Sequence, residues 1–286
     1  MTEVESGMTE SSGPYVLGHS ERELDRLTIQ ARLIEPITRR FFVDAGIAQG
    51  VRVLDVGSGV GDVAFLAADL VGEAGEVVGA DRAPEALAVA RDRARSRSPD
   101  NVSFVDGDPP EMTFDRPFDA IVGRYVLLFQ PDPAAMLRGL VRHLRPGGVV
   151  VFHEPEWARA RSTPPVPSWD RCCRLVVDAF AAGGADSEMG VKLPSLYGSV
   201  GLPAPTLAMA TVIGAGANSA EQVHFTTDVV VTLLPDIERR GLAAPGELDP
   251  ETLADLVLAD IAASGSVVVG RSEIGAWSRK EPGLAV

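Results

Sequence analysis

Cysteine, basic charge and long apolar runs are all scarce in this sequence. Only two cysteines, the adjacent Cys172 and Cys173, occur in 286 residues. No disulfide framework can form, and the pair reads as two small apolar residues on one helix, in keeping with a reducing cytoplasm. Lys and Arg number 26 against 40 Asp and Glu, a formal net charge of -14, so like-charge repulsion argues against nucleic acid or an anionic membrane surface as a partner. No segment offers the roughly 18 uninterrupted apolar residues that a membrane span needs. The first residues, MTEVESGMTESSGPY, lack the basic and apolar regions of an export signal. A cytoplasmic protein without membrane contact is therefore expected, and homo-oligomerisation is left open. The four histidines, His19, His143, His153 and His224, are too scattered for a metal motif, and no metal is expected.

What is present is alternation. Residues 1–13 are short of apolar side chains and read as a disordered tail. Within the N-terminal segment 14–50, Glu21 to Ala45 carries helical spacing through Leu24, Leu27, Leu33, Ile34 and Ile37, with Pro36 expected to divide the stretch into two helices. From Val51 onward strands and helices alternate: strands at Val51–Val56, Glu76–Ala80, Val102–Val105, Phe118–Val122 and Gly148–Phe152, helices at Asp62–Val71, Pro84–Arg95 and Pro133–Leu144. That order predicts a doubly wound, mostly parallel sheet of seven strands with helices on both faces. The last two strands are expected around Pro205–Ile213 and at Val267–Gly270, with a continuation of the latter through Arg271 to Trp277 left open. The proline-rich stretch after Phe152 predicts no regular element until a helix over Ser168–Ala182. Residues 51–286 are read as one domain with insertions near 155–194 and 217–265.

The segment VLDVGSGVGD, Val53 to Asp62, sets a buried strand against a turn with Gly57, Gly59 and Gly61. Glycine at these positions permits close backbone approach, and the following helix points its N-terminus at whatever binds there. Some twenty residues beyond the last glycine, strand two ends at Asp81, a position from which a carboxylate accepts hydrogen bonds from ribose hydroxyls. Strand three ends in VDGDPP, with Asp106, Gly107 and Asp108, strand four in GRYV, and strand five is preceded by LRPGG.

This ordered set resembles the class I S-adenosylmethionine-dependent methyltransferases, in particular their small-molecule branch of quinone-ring and natural-product enzymes. The likeness covers about Val51 to Glu154 and rests on Gly-x-Gly-x-Gly after LDV, which differs from the wider Gly-x-Gly-x-x-Gly of dinucleotide sites. The resemblance implies S-adenosyl-L-methionine as cofactor. Asp55 would order the turn or meet the cofactor amino group, Gly57, Gly59 and Gly61 would pass against its methionine part, Asp81 would bind the ribose, and Asp108 the adenine amino group. Arg82, Gly107 and Arg124 would line the same pocket. Pro109 departs from the pattern, because the residue after the adenine-binding Asp often donates its main-chain N–H and proline has none. The N-terminal segment would form a helical lid, with Tyr15 and Gln30 reaching the methionine end and His19 the acceptor. The same residues also fit an ordinary amphipathic helix capped by Ser20 and Glu23.

Methyl transfer from a sulfonium is an in-line displacement for which alignment can suffice, while a hydroxyl acceptor also benefits from a base. His153 and Glu154, at the end of strand five, are the candidate catalytic residues, and Arg124 and Tyr125 are candidates for positioning an anionic or aromatic acceptor. Each has a structural alternative, a cap or an ion pair. Trp157, Trp169, Tyr197 and Phe225 are expected either to line an apolar acceptor pocket or to pack within the insertions. The acceptor is expected to be a small hydrophobic or aromatic metabolite, methylated at O, N or C. The alternatives are non-canonical use of the cofactor in a cyclisation or rearrangement, an NAD(P)-dependent oxidoreductase, and a binding module without catalysis.

Overall fold

The computed structural model describes residues 21–97 and 100–283, with side chains described from residue 33 onward. Helix α1 (Glu21–Ala45) precedes β1 (Arg52–Val56), α2 (Asp62–Val71), β2 (Glu76–Asp81), α3 (Pro84–Ala94), β3 (Val102–Asp106), β4 (Phe118–Arg124), α4 (Pro133–Val141) and β5 (Leu144–Glu156). Then come β6 (Arg161–Thr163), α5 (Pro167–Gly183), α6 (Met189–Ser199), β7 (Thr206–Ala215), α7 (Ala220–Arg239), α8 (Leu253–Ser264) and β8 (Val267–Arg279).

Strands β1 to β5 pair in parallel in the order β3-β2-β1-β4-β5, and β8 runs antiparallel to β5. The strand order reverses at β1, whose neighbours are β2 on one side and β4 on the other, so the glycine turn stands at the point where open α/β sheets bind ligands. All seven expected strands are present. An eighth, β6, lies inside the proline-rich stretch and pairs Arg161–Thr163 with Val269–Val267 of β8. Three residues leave no sequence period to read.

Alternation along the central strands sorts their side chains into two cores. Val53, Val77, Val122 and Val151 pack with Phe42 of α1 and with Ala64, Phe65 and Leu66 of α2. Their neighbours Leu54, Val78, Ile121 and Val150 pack on the opposite face with Leu137 and Leu140 of α4 and Leu193 and Tyr197 of α6. A strand buried on both faces can be aliphatic at every position, which is why VRVLDV lacks polar alternation. A third core joins α5, α7 and α8 through Trp169, Val176, Val230, Ile237, Val257 and Ile261.

Two corrections follow. Pro36 does not divide the N-terminal stretch: α1 is one helix of 25 residues with Pro36 inside it. A proline removes one hydrogen bond from a helix interior, and here Phe41 and Phe42, both fully buried, anchor the following turn. Each such phenylalanine stabilises the packing by about 1.5–3 kcal/mol. Nor do Trp157, Trp169, Tyr197 and Phe225 line an open pocket: all four are at least 98% buried, and the Tyr197 hydroxyl donates to the Ala276 carbonyl at 2.9 Å. Cys172 and Cys173 are free and buried. Burial pushes the Cys172 thiol up to about 11.

Candidate active site at the strand tips

The turn after β1 is held from below and left bare above. The N–H groups of Gly57 and Ser58 both donate to the Ala80 carbonyl of β2, at 2.9 and 3.1 Å. Gly57, Gly59 and Gly61 have φ of 65, 52 and 93°, a region costly for any residue with a Cβ. A Cβ on Gly57 would lie 2.9 Å from Val126 Cγ2, and one on Gly61 would lie 2.8 Å from Phe104 Cζ. At Gly59 nothing lies within 4 Å of that position. Two glycines thus satisfy packing, while the middle one presents open main chain.

Asp81 closes the other side of this cradle. Its Oδ2 accepts from the Gly59 N–H and its Oδ1 from the Ala83 N–H, both at 2.8 Å, so one carboxylate joins the turn to the start of α3. Asp55 lies deeper, 1% exposed, and neither of its oxygens has a hydrogen-bond partner. The Ala64 N–H approaches without reaching hydrogen-bond geometry. Burial drives the Asp55 carboxyl well above the usual range, against the pull of the Arg124 guanidinium and reinforced by Asp81 and Asp62. The buried Ser58 hydroxyl is likewise unpartnered. Buried polar atoms left unpaired are costly, and the three on Asp55 and Ser58 beside a bare glycine turn fit a ligand carrying an ammonium and a carboxylate.

At the tip of β3, Gly107 (φ 149°) donates its N–H to the Asp81 carbonyl at 3.0 Å. Asp108 is partly exposed and stands 3.8 Å from the exposed Arg82. Pro109 to Glu111 form a short 3-10 turn. Pro109 and Pro110 have no N–H, and those of Glu111 and Met112 are spent inside the turn on the carbonyls of Asp108 and Pro109. An adenine ring here would therefore meet the Asp108 carboxylate without a main-chain donor from residues 109–112. His143, just past the end of α4, places its Nε2 2.9 Å from the Pro109 carbonyl, bracing the same turn.

The tips of β4 and β5 carry a buried polar network. Tyr125, half-buried, has φ 59°, the one non-glycine residue with positive φ among those described. Its hydroxyl donates to Glu273 Oε2 at 2.8 Å and accepts from Arg271 Nη2 at 2.8 Å. Arg271 Nε donates to Glu273 Oε1 at 2.6 Å, and its guanidinium stands 4.7–4.9 Å from the rings of Tyr125, Trp157 and Phe225. His153 is fully buried, with Nε2 2.8 Å from Glu273 Oε2 and Nδ1 3.1 Å from Thr38 Oγ1. Arg124 reaches Thr38 Oγ1 at 3.2 Å.

Burial opposes the charge on Glu273, yet Arg271 and the His153 hydrogen bond outweigh it and bring the carboxyl down to about 2. Burial lowers His153 despite Glu273. A neutral imidazole beside an ionised carboxylate donates from Nε2, and its Nδ1 faces a Thr38 hydroxyl whose single proton also has the Ile34 carbonyl within reach, at 3.1 Å.

His153 and Glu154 are not brought together. Adjacent strand residues face opposite sides of a sheet: His153 meets Phe41 of α1, the rings 5.0 Å apart, while Glu154 lies on the other face. Glu154 Oε1 accepts from the N–H groups of Val126 and Leu127 at 3.0 and 2.8 Å. Burial, only partly offset by those donors, pushes it up to about 8. Tyr15 and His19 lie outside the described residues, and Gln30 is on α1 with its side chain outside them. Three residues that sequence reasoning missed are Thr38, Arg271 and Glu273. Arg271 and Glu273 left a signal: two charges at alternate positions directly after the apolar start of β8.

Residues 47–179 match the methyltransferase-domain family. The ubiquinone/menaquinone biosynthesis C-methyltransferase of Idiomarina loihiensis is 37% identical over 124 residues, 42% of this chain and 49% of that protein. The 2-phytyl-1,4-naphtoquinone methyltransferase of Synechococcus elongatus is 42% identical over 111 residues, 37% of this chain and 48% of that one. The chain thus spans about half the length of the curated relatives it matches. In fold it is similar to a Bacillus halodurans protein described as a methyltransferase, with a TM-score of 0.58 at 19% identity over 85% of this chain and 98% of that one. The strand order and the glycine turn with its acids agree with the match of residues 47–179 to the methyltransferase-domain family, on a Rossmann-like methyltransferase fold.

Proposed function

We propose that the protein transfers a methyl group from S-adenosyl-L-methionine to a small hydrophobic or aromatic metabolite. The observation that carries this reading is the bare turn Gly57–Gly61 over the unpartnered carboxylate of Asp55, with Asp81 at its side. When bound, the cofactor would supply a sulfonium methyl: the acceptor's electron pair would form the new bond to carbon as the carbon–sulfur bond breaks, leaving S-adenosylhomocysteine, with the displaced acceptor proton released to solvent. Asp55 and Ser58 would receive the amino-acid end, an ammonium there favouring the ionised form of Asp55. Asp81 would accept from the ribose hydroxyls, and Asp108 from the adenine amino group.

The chain's remaining work is alignment. Arg124 and Tyr125, both half-buried at the β4 tip, face the acceptor. His153, through Thr38 and Glu273, keeps these two side chains in place, since both of its ring nitrogens are engaged. Glu154 holds the turn whose Val126 packs against Gly57. These two residues therefore act as positioning groups, and neither is placed to take a proton from the acceptor. A relation to quinone-ring C-methyltransferases favours an electron-rich ring carbon as acceptor.

Calorimetric titration with S-adenosylhomocysteine and with NAD tests the cofactor, and mass analysis of a phenolic or quinol acceptor pool tests the reaction. Binding of the sulfur nucleoside, with product heavier by one methyl in place of hydrogen, is expected. Preference for NAD, or product without added mass, contradicts the proposal.

A further inference from the structure

We propose that Arg93, on the outer side of the fold, is a positioning residue for the cofactor, an inference that rests on the glycine turn binding S-adenosylmethionine. Arg93 lies in the last turn of α3. Its Nη1 donates to the Val60 carbonyl at 2.6 Å, and its Nη2 stands 2.7 Å from Asp62 Oδ1. Its guanidinium is 5.0 Å from the Phe65 ring. One planar fork thus spans Gly61, holding the carbonyl before it and the carboxylate at the start of α2 after it.

The turn needs such a restraint. Val60 is flanked by Gly59 and Gly61, both with positive φ, and glycine loses more conformational freedom on ordering than any other residue. Gly59 contributes no side-chain packing, because open space lies above it. The peptide between Ser58 and Gly59 is tied on its inner side by Asp81, which accepts from the Gly59 N–H. Two peptides further on, the Val60 carbonyl is tied on the outer side by Arg93. Both ties come from the β2–α3 unit, so the ribose acid and the arginine grip consecutive parts of the turn from opposite ends of one helix.

Arg93 is 41% exposed and Asp62 22%. An ion pair so exposed adds little to global stability. Its effect falls instead on affinity, because a ligand that finds the turn already ordered does not bear the entropy of ordering it. Arg97 provides an internal control: it lies over the same Phe65 ring at 4.6 Å and pairs with Asp69, without touching the turn.

The test is calorimetric titration of the full chain with S-adenosylhomocysteine, alongside thermal melting. Arg93→Met is expected to weaken binding roughly tenfold, with little change in melting temperature. Arg93→Lys, which keeps the charge and loses the fork, should fall between the two, and Arg97→Met should match the unaltered protein. Loss of less than threefold in Arg93→Met, or an equal loss in Arg97→Met, overturns the role. If Arg93→Met does not fold, Arg93→Lys decides: affinity equal to that of the unaltered protein refutes the fork. Failure of the unaltered protein to bind would instead overturn the reading of the turn itself, and this role with it.

Discussion

Asp81 does two things with one carboxylate, tying the Gly59 N–H and the Ala83 N–H and offering its remaining lone pairs to a ribose. Asp81→Ala should therefore weaken S-adenosylhomocysteine binding by at least about tenfold, since charge-assisted hydrogen bonds are the strong ones, and calorimetry on the folded variant reads it. Gly57→Ala tests the turn: its Cβ would meet Val126 at a φ of 65°, and a loss of about 1–3 kcal/mol in denaturant unfolding is expected. These residues were legible because acids and glycines at strand tips have few other uses in combination. Thr38 was not, for a threonine within an amphipathic helix carries no mark of the histidine it meets. Neither was the spent N–H supply after Asp108, which depends on how Glu111 and Met112 fold back. The turn could be read as proline-rich but not as closed.

At the scale of elements, β8 and the tip of β5 hold charges in the interior. Arg271→Met should cost about 3–5 kcal/mol, because Glu273 would be left as an uncompensated buried charge. Arg271→Met combined with Glu273→Gln should recover part of that loss, and chemical unfolding of the two variants beside the unaltered protein checks both statements. Glu154 gives a pH signature. Its folded value of about 8 lies above that of an unfolded glutamate, so the folded state holds a proton that the unfolded state releases. Its contribution is fully present below the unfolded value and is lost as pH rises through about 8. Glu154→Gln should flatten that slope in urea melts taken across this window. Glu273 has the opposite sign, its contribution being present above the ordinary glutamate range and lost as pH falls toward about 2. The existence of β8 could be read from its β-branched start, and its polar members from their alternation. Their partners Tyr125 and His153 come from distant strands, so only the fold could join them.

For the whole molecule, two neighbouring stretches of the strand tips divide the work. The tips of β1, β2 and β3 form the cradle proposed for the cofactor, while α1, β5 and β8 enclose the network behind Arg124 and Tyr125. The net charge of -14 leaves the arginines of the site as local exceptions, held by Thr38 and Glu273. Among the described residues no helix is long and apolar enough to cross a membrane. The parallel sheet was legible from the order of its elements, because a βα repeat permits few topologies. The continuity of α1 through Pro36 was not, since burial of Phe41 and Phe42 overrides a local preference. The most direct test of the account is a crystal structure with S-adenosylhomocysteine. Its amino-acid end should lie over Gly57–Gly61 with the ammonium at Asp55, and its ribose at Asp81. A nucleoside lodged elsewhere, or an Asp55 carboxylate without contact to it, would contradict the account.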